Sequence, residues 1–363
     1  MGDYYTFSRW TLEVRGQPLT VVGKPGVWSW DRLDLGSAAL LESVEIEPQS
    51  RVLDLGCGTG VLGAAAARLA PGGQVTLVDC SLPAVRCAER TLEANRLANA
   101  EVRLGDGVAG LPEGSFDLVL AHLPRGREVM EELIRGAARV LRPGGRLYFV
   151  AHTGAGVRGA IAYTRALFGR CGVIRQRKGY HVALAVRPAA LALESTGDGY
   201  LTRRIVCDGA ETVLVSKPGL FAWDRLDAGS AALIGAMLIA DGERVLDLGC
   251  GTGLVGLAAA RRAPQARVVL ADADLRAVEA ARRTLAANAI ANAEAVLSDC
   301  ASAWFGAAEP PFDVVVTNPP FHRGVGVDFE VAHQFVRDAA RALARRIAHE
   351  LMRHLEVHAH AAV

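Results

Sequence analysis

The sequence predicts a tandem pair of doubly wound α/β domains, and three observations carry that prediction. First, residues 24–37, KPGVWSWDRLDLGS, return as residues 217–230, KPGLFAWDRLDAGS, 193 positions later. Second, RVLDLGCGTG stands letter for letter at 51–60 and again at 244–253, at the same offset. Third, short apolar runs alternate with Ala-, Leu- and Arg-rich stretches of helical spacing, the pattern of βαβ units around a parallel sheet. A repeat this long marks a duplicated domain; solenoid units run to about 20–50 residues.

Each copy of RVLDLGCGTG ends an apolar run with a Gly-x-Gly-x-Gly series, so strand, tight turn and helix follow in that order. Glycine allows the sharp turn and lets a ligand approach the backbone with no Cβ in the way. In the second copy, residues 244–248, 267–271, 293–297 and 313–317 predict strands, and 275–289 and 329–346 predict helices. Periodicity lapses and Pro, Ser and Gly collect in RPAALALESTGDG, residues 187–199, which divides the chain into domains 1–187 and 200–363.

Composition narrows the class. The chain has 363 residues, 51% hydrophobic and 22% charged, with a net charge of +1, so a nucleic-acid partner has to be held by local basic patches. Seven scattered cysteines without a C-x-x-C pair argue for a reducing compartment and against a disulfide framework or a cysteine zinc site. The N-terminus MGDYYTFSRW lacks a secretory pattern, and no apolar run reaches the roughly 18 residues of a membrane span. A soluble, cytoplasmic protein without metal, monomeric or homodimeric, is the expectation.

The chemistry-bearing residues fall where parallel strands end. Asp272 stands 19 residues after Gly253 and closes an apolar run; Asp79 holds the same place in the first copy. A carboxylate there can accept from both ribose hydroxyls of an adenosine-type ligand, or, alternatively, cap the helix that follows. Asp299 and Asp106, after the third run of each copy, could accept from an adenine amino group or serve a turn. In DVVVTNPPFH, residues 313–322, a buried strand delivers Asn318, Pro319, Pro320 and Phe321 to the ligand edge. The prolines remove backbone donors and stiffen the turn, leaving carbonyls free to accept together with the Asn318 side-chain oxygen. Such acceptors can grip both hydrogens of a planar exocyclic amine while Phe321 stacks on its ring, which favours a pyramidal nitrogen aimed at an electrophilic methyl group.

Asp247–Gly253 together with Asn318–Phe321 resembles the class I S-adenosylmethionine-dependent methyltransferases, a Rossmann-like fold, that modify amino groups. The duplication and the lead-in of residues 218–230 resemble the two-domain bacterial 16S ribosomal RNA guanine-N2 methyltransferases. That resemblance implies a catalytic C-terminal copy and an N-terminal copy that supports folding and RNA recognition. It implies that S-adenosyl-L-methionine is held by Asp247, Gly249, Gly251, Gly253, Asp272 and Asp299, and that ribosomal RNA or the small subunit is the partner. Asn318, Pro319, Pro320 and Phe321 would hold the guanine amino group. Adenine N6, large-subunit RNA or a protein glutamine amide are alternative acceptors, and a non-catalytic RNA-binding or assembly protein is an alternative outside enzymes.

Two departures from the family pattern stand out. The first copy keeps an apparently sound cofactor loop in Asp54, Gly56, Gly58 and Gly60, but its amine-gripping segment has become Ala121-His122-Leu123-Pro124. It is expected to offer a second cofactor site, with Asp79 and Asp106, and no methyl transfer. The second copy has 43 residues after Pro320, whereas the first runs 62 from Pro124 to Val186. A C-terminally truncated sheet is therefore expected, with an open edge covered by the helical stripe Ile347, Leu351 and Leu355. His349, His354, His358 and His360 read as a surface helix more readily than as a metal site. Arg337, Arg341, Arg345, Arg346 and Arg353 read as a solvated face, and Lys24 and Lys217 as phosphate contacts or loop charges.

Overall fold

The computed structural model describes residues 4–191, 193, 197–305, 311–320, 322, 323, 326, 327 and 329–343. Contacts divide the chain into two units, Met1–Gly199 and Tyr200–Val363. Among the described residues no helix is long and apolar enough to cross a membrane.

The first unit opens with the hairpin β1 (Ser8–Val14) and β2 (Gln17–Gly23), then α1 (Leu35–Ser43). Next come β3 (Arg51–Leu55), α2 (Val61–Leu69), β4 (Gln74–Asp79), α3 (Leu82–Ala94), β5 (Ala100–Leu104) and β6 (Phe116–His122). The unit closes with α4 (Arg127–Val140), β7 (Leu141–His152), α5 (Val157–Phe168), β8 (Cys171–Arg177) and β9 (Tyr180–Val186). The sheet runs β5-β4-β3-β6-β7-β9-β8, and β9 is antiparallel to both its neighbours while the other pairings are parallel. Helices cover both faces: Val52, Leu77 and Leu118 pack with Ala64–Ala67 side chains of α2, and Leu53, Val119 and Phe149 pack with Met130, Ile134 and Ile161. Burial on both faces is why the central strands read as nearly unbroken apolar runs.

The second unit repeats this plan through β10 (Leu201–Cys207), β11 (Ala210–Ser216), α6 (Ala228–Ala236), β12 (Arg244–Leu248) and α7 (Leu254–Arg262). It continues with β13 (Arg267–Asp272), α8 (Leu275–Ala287), β14 (Ala293–Leu297), β15 (Val314–Thr317) and α9 (Phe329–Ala342). Its parallel sheet has the order β14-β13-β12-β15. After β15 the described residues hold a short antiparallel pair, His322–Arg323 with Gly326–Val327, then α9, and Leu343 just past α9 makes a parallel bridge to Phe312. The expected stripe Ile347, Leu351 and Leu355, the four C-terminal histidines, and Arg345, Arg346 and Arg353 lie outside the described residues.

Three local differences from expectation have physical causes. Helix α8 ends at Ala287, short of residue 289, because the Asn288 side chain leaves to serve β11: Val213 N donates to its Oδ1 at 3.0 Å and its Nδ2 donates to Val213 O at 2.7 Å. Asn95 does the same for β2 at Thr20, which explains why both asparagines recur at the repeat offset. Pro143-Gly144-Gly145, a turn signal by residue type, lies inside β7, where Gly144 takes a φ of +78° and the pairing with β6 shifts between Phe116 and Leu118. Lys24 and Lys217 are 1% exposed rather than loop charges; their ammonium groups sit 3.7 Å over the Tyr4 ring and 5.3 Å over the Tyr200 ring.

Candidate active site

The four parallel strands of the second unit end together. Leu248 pairs with Ala271 and Thr317, and Asp272 with Leu297, so the glycine loop, Asp272, the Ser298-Asp299 turn and Asn318 all leave one edge of the sheet. That carboxyl edge is where open α/β sheets bind ligands.

The loop is built from beneath. Asp247 is buried and accepts from Gly256 N at 2.8 Å, which ties the end of β12 to the first turn of α7. Burial pushes its carboxyl up to about 7, with the Asp272 charge adding to the rise against the opposing Gly256 hydrogen bond. Gly251 has a φ of +54° and open space where a Cβ would stand, and its N–H donates to Asp272 Oδ2 at 2.9 Å. Gly249 is more confined, since a Cβ there would lie 2.6 Å from the Phe335 ring of α9.

Asp272 itself holds Gly251 through one oxygen and the Asp274 N–H, at 2.9 Å, through the other. Its low-dielectric surroundings raise its pKa to about 6 despite those bonds. The helix-cap alternative falls elsewhere: α8 is capped by Asp274, which accepts from Arg276 N at 2.9 Å. Asp272 therefore stands beside the glycine loop with lone pairs left over for a diol. Asp299, next along the edge, is 1% exposed, and its neighbour Ser298 donates from its N–H to Asp272 O at 2.8 Å.

Asn318 follows β15 directly. Thr317 Oγ1 donates to Leu248 O at 2.7 Å, which pins the end of β15 to the residue that precedes the glycine loop. The Asn318 amide nitrogen donates to Asp227 Oδ1 at 3.3 Å and Ser230 Oγ at 3.2 Å, both at the start of α6. Pro319 is half-buried and Pro320 exposed; Phe321 lies outside the described residues. Asp227 and Ser230 were not singled out as site residues by motif reasoning, although the repeated Leu-Asp-x-Gly-Ser was the signal that could have found them.

The first unit carries the same edge. Asp54 accepts from Gly63 N at 2.7 Å, and Asp79 accepts from Gly58 N at 2.8 Å and from Ser81 N at 2.9 Å. Positions where Gly56 and Gly58 would carry a Cβ are open, while Gly60 packs against Ala88. Burial raises the Asp54 carboxyl to about 7, and no described group bonds its Oδ1. Asp106 follows β5 and is half-buried. The position of Asn318 is taken by His122, whose Nδ1 lies 3.2 Å from Ser37 Oγ and 3.5 Å from Asp34 Oδ1.

The chain is similar to known proteins. The methyltransferase small domain model matches residues 18–184 and 211–348, once in each copy. Ribosomal RNA small subunit methyltransferase C of Stutzerimonas stutzeri (strain A1501) is 36% identical over 244 residues, 66% of this chain and 70% of the relative. Its namesake in Pseudomonas entomophila (strain L48) is 33% identical over 260 residues, 70% of this chain and 75% of the relative. The T. thermophilus 16S rRNA N2 G1207 methyltransferase, solved in complex with AdoMet and guanosine, matches with a TM-score of 0.77 at 33% identity, covering 93% of this chain and 87% of that one. Two matches to one family model, on two copies of one cofactor-loop geometry, give the assignment: the chain belongs to the methyltransferase small domain family.

Proposed function

We propose that the C-terminal unit transfers a methyl group from S-adenosyl-L-methionine to guanine N2 of 16S ribosomal RNA. The observation that carries this reading is Asn318, held at the end of β15 and tied through Thr317 to the residue before the glycine loop. The relatives named for small-subunit rRNA methylation, and the T. thermophilus N2 enzyme above all, support the acceptor.

Open space at Gly251 and the neighbouring Asp272 carboxylate fit an adenosine-type cofactor, with Asp247, Gly249 and Gly253 shaping the turn and Asp299 at the adenine end. Bound there, S-adenosyl-L-methionine supplies an electrophilic methyl group on a sulfonium that departs as a neutral thioether. The protein's part is orientation. Guanine N2 is flattened by conjugation, so its lone pair is a poor nucleophile. The Asn318 Oδ1 and the Asn318 and Pro319 carbonyls accept its two hydrogens, which draws the nitrogen toward a pyramidal shape and aims the lone pair. That pair forms the new N–C bond, and the surplus N2 proton passes to water.

The N-terminal unit, with Asp54, Gly56, Gly58, Gly60, Asp79 and Asp106, offers a second cofactor cradle but has His122 where the amine grip should be. It contributes RNA recognition and support rather than transfer, and the protein works in the cytoplasm, where its RNA is. Incubating the chain with radiolabelled cofactor and 16S RNA, then mapping the product, tests the reading. Label on a guanine N2 is expected. Label on adenine N6, on 23S RNA or on protein replaces the acceptor, and no label in single turnover replaces the enzyme with a binding protein.

A further inference from the structure

We propose that Asp227 and Ser230 are positioning residues that lock the Asn318 amide with its carbonyl oxygen toward the acceptor amine. The inference rests on the amine-holding role proposed for Asn318 and asks what makes that role possible.

A carboxamide has two ends of nearly equal shape and opposite chemistry. Turned one way, Asn318 presents an acceptor to an amino group that needs one; turned the other way, it presents two N–H donors to another donor. Nothing in the strand–turn geometry chooses between them. The choice is made at α6, where Asp227 Oδ1 and Ser230 Oγ lie 3.3 Å and 3.2 Å from the amide nitrogen. Among the described residues none donates to Asn318 Oδ1, so that atom is left to accept from outside.

Asp227 can enforce this only if it stays ionised and fixed. Its Oδ1 also accepts from Gly229 N at 3.0 Å and Ser230 N at 3.1 Å, so the carboxylate is clamped as the cap of α6. Burial works against ionisation, but the bonds from Ser230, Gly229 and Asn318 outweigh it and hold the pKa below the ordinary carboxylate value. An ionised carboxylate has no proton to give, so a flipped Asn318 would set carbonyl oxygen against carboxylate oxygen. Gly229 completes the cradle, since a Cβ there would stand 3.1 Å from Nδ2 and 3.2 Å from Oδ1 of Asn318. Leu-Asp-x-Gly-Ser is therefore a unit: cap, contact-free approach and second acceptor. The N-terminal unit keeps Asp34, Gly36 and Ser37 around His122, so there the cradle survives with a guest that lacks a carbonyl.

Capping alone would make Asp227 a structural residue, and the variants separate the two roles. Asp227→Ser retains a good N-cap but is too short to reach Asn318, whereas Asp227→Asn keeps both the cap and an acceptor oxygen. In single turnover on 16S RNA, Asp227→Ser should lose about 10–100-fold in rate, the scale expected for a misplaced reacting group. Cofactor affinity and thermal midpoint should hold, and Asp227→Asn should recover most of the loss. In protein labelled with nitrogen-15 at asparagine, the Asn318 side-chain NH2 pair, identified by its absence in Asn318→Ala, should shift and exchange faster in Asp227→Ser and in Ser230→Ala. If Asn318→Ala is inactive while Asp227→Ser and Ser230→Ala transfer within about threefold of the parent with that NH2 pair unmoved, the positioning role is wrong and the function stands. If Asn318→Ala itself retains the rate, the amine grip is wrong. Ser230 joins the cap through its backbone N–H, which Ser230→Ala keeps, so Ser230→Ala decides the matter should Asp227→Ser fail to fold.

Discussion

His122 occupies in the N-terminal unit the position that Asn318 occupies in the C-terminal one. Ala121 pairs with Leu55 as Thr317 pairs with Leu248, so each side chain follows the same rung of its sheet, above an Asp-x-Gly-Ser cap. The exchange turns an amide whose side-chain carbonyl meets no donor among the described residues into an imidazole packed edge-on against Trp28 and Tyr180, with ring centroids 6.3 Å and 5.9 Å away.

That burial makes His122 a pH-sensitive element of the first unit. Burial lowers its pKa, and Asp34 only partly restores it. A histidine with a folded pKa below its unfolded value leaves the folded state short of protons. The stability it allows is complete above the unfolded value of 6.5 and is lost as pH falls through it toward the folded pKa. Thermal midpoints between pH 8 and pH 5.5, on the scale of that titration, should fall more steeply for the parent than for His122→Gln. Parallel curves would remove His122 from the account.

Asp272 titrates in the opposite sense. Its carboxyl is raised to about 6 by burial, so near neutrality it is ionised at a cost that protonation relieves. Folding stability attributable to it therefore rises as pH falls through about 6, while its capacity to accept from ribose hydroxyls falls. Calorimetry should show cofactor affinity weakening below that pH in the parent. Asp272→Ala should bind more weakly by about 1–3 kcal/mol at pH 7.5 and lose the pH dependence. An affinity in Asp272→Ala equal to the parent's would take Asp272 out of the cofactor site.

Asn318→Ala should abolish methyl transfer and leave cofactor affinity nearly unchanged, because the amide bonds to α6 and, in the proposed mechanism, serves the acceptor rather than the cofactor. Transfer within about threefold of the parent in single turnover would end the amine-gripping mechanism.

How far the sequence reached follows from what kind of contact each feature depends on. The duplication, the positions of the strands up to β15 along the chain and the glycine loops were legible because they rest on local period and identical letters. The place of Asp272 at the end of β13 was legible by spacing, yet its competing role as a helix cap was excluded only by seeing Asp274 take the cap. Asp227 touches Asn318 across 91 positions of chain, and no local pattern reports such a contact. Lys24 and Lys217 look like surface charges by residue type; burial over the Tyr4 and Tyr200 rings is a tertiary fact.

Gly256 supplies a stability test of the loop. A Cβ there would stand 2.5 Å from Leu270 Cγ, and Gly63 faces Leu77 at 2.4 Å in the same way, so both helices approach their strands as only glycine permits. Each backbone N–H also donates to one oxygen of the buried Asp247 or Asp54. Gly256→Ala should destabilise the second unit by about 1–3 kcal/mol through overpacking, read by chemical denaturation. A neutral outcome would mean that Leu270 has room to turn away.

The first unit's glycine loop gives the last prediction. Gly56 and Gly58 leave open space where side chains would stand, Asp79 holds Gly58 as Asp272 holds Gly251, and the buried Asp54 has one carboxylate oxygen with no partner among the described residues. Each is a feature of a loop kept for a ligand, and a loop kept only for packing would be free to lose them. Equilibrium dialysis with S-adenosyl-L-methionine should therefore give two equivalents bound per chain. Asp79→Ala should leave one equivalent and an intact rate of transfer, because the site that remains is the one beside Asn318. Asp272→Ala should leave the other equivalent and a crippled rate. A single equivalent in the parent, untouched by Asp79→Ala and lost in Asp272→Ala, would make the first loop a packing element with no ligand of its own.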